Sequence, residues 1–334
     1  MNGILTKSLE SSKAQPSSAK TIEIDGRDEI YTVAFLVDGK HVVGGDREGK
    51  IRRWRVKDGM EVGMPMDAGS TLFNIVASQD GKWIVGGIWE SVQVWNVESG
   101  KKVSEFKGHS HWVCAVDVSP DSTKIASGSG DKTACVSSLS TGQREELLGP
   151  WEHDHLVFAV KFSPDGRFVA TATETVFRIY DGHDGSLVVN VPIQTTLSLN
   201  HSLAWSSNNK RLFVVSSGKI ICLDASTGAT LSQWSIHGNE YNHIALASDG
   251  TFIAVSSNSS VSFWDATTHK EIGSVIEHTG KVECMAISTN NDIAIGGGNK
   301  ITLRSLCDIL PSSYWNNVST FESRTRLAAQ RTTP

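Results

Sequence analysis

The sequence predicts an all-β fold of seven small sheets set radially about one axis, each sheet folded from one copy of a repeat. Three observations lead there: a regular period, a polar turn at a fixed place in every copy, and short apolar runs between the turns. The period shows when IRRWRVKDG, VQVWNVESG, ACVSSLSTG, FRIYDGHDG, IICLDASTG, VSFWDATTH and ITLRSL are aligned. Their equivalent positions are Trp54, Trp95, Ser137, Tyr180, Leu223, Trp264 and Arg304, spaced 41, 42, 43, 43, 41 and 40 residues apart. Self-similarity at such a period marks a stacked or radial array of supersecondary units.

The second element lies 14 to 16 residues before each aligned position. It is a turn dipeptide: Asp38-Gly39, Asp80-Gly81, Asp121-Ser122, Asp165-Gly166, Asn208-Asn209, Asp249-Gly250 or Asn290-Asn291. Asp and Asn tolerate left-handed backbone and Gly adopts it at no steric cost. Around each turn sit runs such as VCAVDVSP and KIASGS, or VFAVKFSP and FVATA, whose alternation and length read as strands. Each unit is thus three clear strands and a weaker fourth, as in KVSEF and EIGSV.

Unit three carries Gly108-His109, Trp112-Val113, Ser119-Pro120-Asp121, Ser127-Gly128-Ser129 and Asp131, and unit six carries Trp264-Asp265. On these residues the chain resembles the WD40-repeat family, in a degenerate form similar to fungal-type repeats, over roughly residues 21 to 308. The resemblance implies a seven-bladed WD40-type β-propeller, in which radial blades bury each other's faces and leave only short edges. It also implies a buried hydrogen-bonded set of His109, Ser127 and Asp131. Ser137 stands where that set has its Trp, and no unit keeps all four members.

Domain organisation follows. Residues 1 to 20, rich in Ser and Lys, are expected to be disordered, residues 21 to 308 to form the propeller, and residues 309 to 334 to form a tail with a short docked helix bearing Trp315, Phe321 and Leu327. Pro311 falls where other units have a fourth strand, and Pro cannot donate to a ladder. Thr21 to Ile24 forms a strand with no blade of its own, so the ring is expected to close by pairing it into the last blade as the outer strand.

A net charge of −5 without clustered Lys and Arg argues against nucleic acid, and the absence of a long apolar run argues against a membrane span or a leader. A cytoplasmic protein is expected, with a nuclear location left open. The five cysteines have neither zinc-type spacing nor a secreted context, and so read as free core thiols. Gly128 to Thr133 lacks the Lys directly after Gly that a phosphate loop needs. Eight histidines fall at or near entries to first strands, but they come from different units, so no metal is expected and no cofactor either. No Gly-x-Ser-x-Gly, His-Glu-x-x-His or matched carboxylate pair supports an enzyme.

The reading is therefore a monomeric, non-enzymatic scaffold that binds protein partners. The alternative is a propeller that binds or hydrolyses a small molecule or glycan at its central pocket. As the partner surface the sequence offers Trp89 in the second-to-third-strand turn of unit two, His111 and Trp112 entering the first strand of unit three, and Trp151, His153 and His155 entering that of unit four. Large aromatics in loops are costly unless covered, and Trp is enriched at interface hot spots.

Overall fold

A computed structural model describes residues 20–139, 146–192, 203–216, 218–236 and 243–315. Residues 1–19 and the expected helix positions Phe321 and Leu327 lie outside them. The strands fall into antiparallel sheets, and unit one shows the plan: Ile30–Phe35, His41–Asp46, Lys50–Arg55 and Met66–Asp67, in that spatial order. Units four, five and six repeat it.

The turn dipeptides explain why the hairpins form where they do. At all seven, the second residue has positive φ, including Ser122 (57°), Asn209 (60°) and Asn291 (62°), where no glycine is present. The first residue holds the turn shut: Asp38, Asp80, Asp121, Asp165, Asn208 and Asp249 each accept, through Oδ1, the amide two residues on, at 2.8–3.1 Å. In units two, three and four a serine two residues earlier donates to that same oxygen, at 2.6, 2.5 and 2.6 Å. Such Asx geometry fixes a hairpin locally, before any packing is made.

The inner strands join neighbouring units through side chains. Thr32 Oγ1 accepts the amide of Ile75, Asn74 Oδ1 that of Val116, and Asp117 Oδ2 that of Phe162, at 2.9, 3.0 and 2.8 Å. Trp205 Nε1 then donates to the Lys161 carbonyl at 3.2 Å. Inner strands from all seven units line one axial cavity of about 1130 Å³.

The ring closes as the sequence implies. Thr21–Asp25 pairs with Lys300–Ser305, Ile24 lying opposite Ile301, and becomes the outer strand of the last sheet. Ile24 shares an apolar cluster with Ile30 and Trp54 of unit one and Ile301 and Leu303 of unit seven. Asn290 Nδ2 of unit seven donates to the Gly39 carbonyl of unit one at 3.2 Å, 251 residues away in sequence.

One expectation is corrected. The outer strand of unit two and the inner strand of unit three are one continuous strand, Lys102–Val118, so those units share a seven-stranded sheet. Around Gly108 the strand carries a bulge: pairing passes from Ser91↔Lys107 to Trp89↔Trp112, leaving the intervening residues of the long strand extra. Most of the expected tail helix, residues 316–334, lies outside the described residues; within them the tail contains two 3₁₀ turns, Leu306–Asp308 and Ser312–Tyr314. Tyr314 and Trp315 pack edge-on against Phe252 of unit six, and Tyr314 Oη donates to Asp265 Oδ2 at 2.5 Å.

Candidate interaction surface

In unit two only Ile88 separates the second strand, Trp83–Gly87, from the third, Trp89–Asn96, and Glu90 adopts a φ of 60°. Trp89 therefore opens a strand instead of lying in a turn. Its side chain still projects outward and is 47% exposed. The bulge in Lys102–Val118 brings His111 beneath it, with ring centres 5.1 Å apart, and Trp112 edge-on at 6.0 Å. Phe73 completes a row of four rings, 5.7 Å from Trp112.

Ser129 anchors this row by donating to the carbonyls of His111 and Trp112 at 3.2 and 2.9 Å. Gly130 leaves room for it: a Cβ there would come within 2.5 Å of both His111 Nδ1 and Trp112 Nε1. Those two nitrogens are shielded from solvent and find no hydrogen-bond partner among the described residues. Each such orphan costs about 1–3 kcal/mol.

Beside this row the resemblance's buried set is assembled. His109 Nδ1 lies 2.9 Å from Asp131 Oδ2, and His109 Nε2 lies 2.9 Å from Ser127 Oγ. Burial pushes the Asp131 carboxyl up, but hydrogen bonds from Thr133 and the Ser110 amide, with His109 nearby, outweigh it and hold the group below its usual range. Unit seven builds a variant that sequence reading missed: His278 Nδ1 meets Thr302 Oγ1 at 2.8 Å, and its Nε2 lies 3.2 Å from the Gly297 carbonyl.

Trp151 and His153 do not join the outward row. Trp151 lies on the outer strand Glu146–Glu152 of unit three, paired with Ala134, and not on the entry to unit four. Its ring stacks on Tyr180 at 4.1 Å with a 5° tilt, and its Nε1 donates to the Gly185 carbonyl at 3.1 Å. Pro150 precedes it in that strand, and an outer strand accommodates Pro. His153 is only 7% exposed. It is the structural histidine of unit four, with Nε2 2.9 Å from Thr171 Oγ1 and Nδ1 3.0 Å from the Trp151 carbonyl. Burial drives its pKa down to about 4, so it is neutral at pH 7. His155 is half-exposed and pairs with Glu174 at 2.5 Å.

The charged groups lining the axial cavity are paired locally: Asp117 with Lys161 at 2.9 Å, and Glu283 with Lys281 at 2.8 Å. Among the described residues no three His, Cys, Asp or Glu side chains gather as metal ligands. No helix among them is long and apolar enough to cross a membrane.

The family model for the WD domain, G-beta repeat, matches residues 100–136, 146–189 and 228–265. The chain carries WD40 repeats. Each matched WD40 segment begins at the outer strand of one unit and runs into the next, so the sequence repeat is offset from the sheet. Among similar proteins, "Nuclear distribution protein nudF" of Aspergillus niger is 30% identical over 188 residues, covering 50% of this chain and 42% of that protein. "Small ribosomal subunit protein RACK1y" of Oryza sativa subsp. japonica is 28% identical, covering 46% and 44%. "Eukaryotic translation initiation factor 3 subunit I" of Pyricularia oryzae is 26% identical, covering 64% and 66%. The chain thus spans less than half the length of the first two of these relatives.

Proposed function

We propose that this WD40 chain is a non-enzymatic, monomeric scaffold of the cytoplasm that binds a protein partner on the surface made by Trp89, His111 and Trp112. The observation that carries the reading is Trp89 itself, a large ring left 47% exposed above a preformed row of aromatics. An exposed Trp backed by packed rings has the composition of an interface hot spot. The orphaned nitrogens of His111 and Trp112 add a reason for that corner to be covered. One relative is named a small ribosomal subunit protein and another a subunit of an initiation factor, which supports work inside protein assemblies. Trp151 and His153 are outside the proposed surface, because each is already engaged in the seam between units three and four.

The test is affinity purification followed by crosslinking. Crosslinks from a stoichiometric partner should map to the loops around Trp89 and His111. Trp89→Ala should weaken capture by roughly 2 kcal/mol or more, about thirtyfold, with an unchanged melting temperature. A partner whose crosslinks fall elsewhere, and which Trp89→Ala binds as the parent does, would refute the assignment.

A further inference from the structure

A pocket opens between units two and three at the place where three other units bury a tryptophan. Trp54, Trp95 and Trp264, at the aligned position of units one, two and six, are 2%, 1% and 7% exposed. Each shares an apolar cluster with the preceding unit: Trp54 with Ile301 of unit seven, Trp95 with Val43 of unit one, Trp264 with Phe213 of unit five. Unit three has Ser137 there. The seam it faces holds a cavity of about 270 Å³, walled by Val92 and Phe106 of unit two and by Ile125, Ser127, Cys135 and Ser137 of unit three. Units one, two and six supply from within the chain a ring that this seam lacks.

Size and chemistry both limit what enters. An apolar cavity of about 150 Å³ takes a benzene ring, so about 270 Å³ has room for a bicyclic one. Val92, Phe106 and Ile125 give it an apolar side, and its polar remainder carries a fixed acceptor. Asp131 and His109 Nδ1, 2.9 Å apart, place a proton on Nδ1, so that Nε2 accepts the Ser127 hydroxyl proton across 2.9 Å. The Cys135 thiol, 3.2 Å away, then donates to one lone pair of Ser127 Oγ, and the second lone pair is left for a ligand donor. In unit six the buried indole meets the same kind of group: Trp264 Nε1 donates to Ser262 Oγ at 2.9 Å. Exposed Lys107, Ser110 and Pro150 stand at the mouth.

We propose that the seam between units two and three is a binding site for a flat, indole-sized aromatic ring bearing an N–H donor, seated where Trp54, Trp95 and Trp264 sit in their own units. The ring comes either from a free aromatic heterocycle or from a tryptophan side chain of a partner. The site is separate from the Trp89 surface and does not depend on it.

The experiment titrates the full chain with indole, 1-methylindole and N-acetyl-tryptophanamide, following the melting temperature and the NMR signals of the Val92 methyls and the His109 ring. Indole should raise the melting temperature and shift those signals. The methylated analogue, which cannot donate, should bind about two- to tenfold more weakly. Binding of N-acetyl-tryptophanamide identifies a partner side chain as the source, and its exclusion while indole enters identifies a free molecule. Ser137→Trp should fill the seam, keep or raise the melting temperature and weaken indole by at least about tenfold. Ser137→Phe serves the same purpose if the larger ring prevents folding. The site is refuted if the parent responds to none of the three probes, if the shifts lie away from Val92 and His109, or if a folded Ser137 variant binds indole as the parent does.

Discussion

The seams on either side of unit three use the same residue types and reach opposite states. Between units three and four, Trp151 lies flat on Tyr180, its N–H is satisfied by Gly185, and both nitrogens of His153 are engaged. Between units two and three, Trp89 is open to solvent, and two ring nitrogens beneath it find no partner among the described residues. The two seams also differ at the aligned position. Tyr180 offers a flat face at that position in unit four, whereas Ser137 offers none in unit three. Whether a tryptophan is structural therefore depends on what the facing unit presents, not on where the tryptophan falls in its own repeat.

The contrast can be tested, beginning with the change expected to do most. Trp151→Ala should cost about 3 kcal/mol in urea denaturation, the low end for a tryptophan truncation because the ring is half-buried. A loss below about 1 kcal/mol would mean that the stacked seam is no tighter than the open one. Acid should expose His153 next. Its folded pKa of about 4 lies below the ordinary histidine value near 6.5, so below about 6.5 the unfolded chain takes up a proton that the folded one refuses. Its contribution to stability is therefore lost as pH falls from about 6.5 towards 4. His153→Gln removes that linkage, and its deficit against the parent should shrink by about 2 kcal/mol between pH 7 and pH 5. An unchanged deficit would place the acid sensitivity elsewhere, with His243, also depressed to about 4 by burial, the first alternative.

Gly130→Ala should cost about 1–2 kcal/mol, because its Cβ would strike His111 Nδ1 and Trp112 Nε1 in a row with little room to shift. A neutral result would show that the rings of the open seam move freely. The smallest effect belongs to Trp89→Ala, within about 0.5 kcal/mol of the parent in the isolated chain. A larger loss would make Trp89 a packing residue and erase the contrast with Trp151.

Much of the fold is legible in the sequence because its signals are local. Asp or Asn followed by a residue that tolerates positive φ fixes each hairpin from two adjacent positions, and the structure has that φ at all seven. Ring closure is legible from Pro311 and the unassigned strand at Thr21 to Ile24. The surface is less so. Trp89, Trp112 and Trp151 look alike in sequence, and only the neighbouring unit separates them. His153 could have been recognised by analogy with His109, since a hydroxyl residue follows each by 18 positions, Ser127 and Thr171. The seam pocket was half visible, as Ser137 breaks the aligned row. Its other wall, Val92 and Phe106, comes from a different repeat.

The pairing of Thr21–Asp25 with Lys300–Ser305 has a consequence for synthesis on the ribosome. The Thr21–Asp25 strand must wait for the Lys300–Ser305 strand, and the closing contact between Asn290 and Gly39 spans 251 residues. At roughly 5–20 residues per second the wait is on the order of tens of seconds. Throughout it Ile24 has no Ile301 to cover it, and its strand edge stays unpaired. The nascent chain is thus most in need of a chaperone along the Thr21–Asp25 edge, and the ring becomes cooperative only when the Lys300–Ser305 strand arrives.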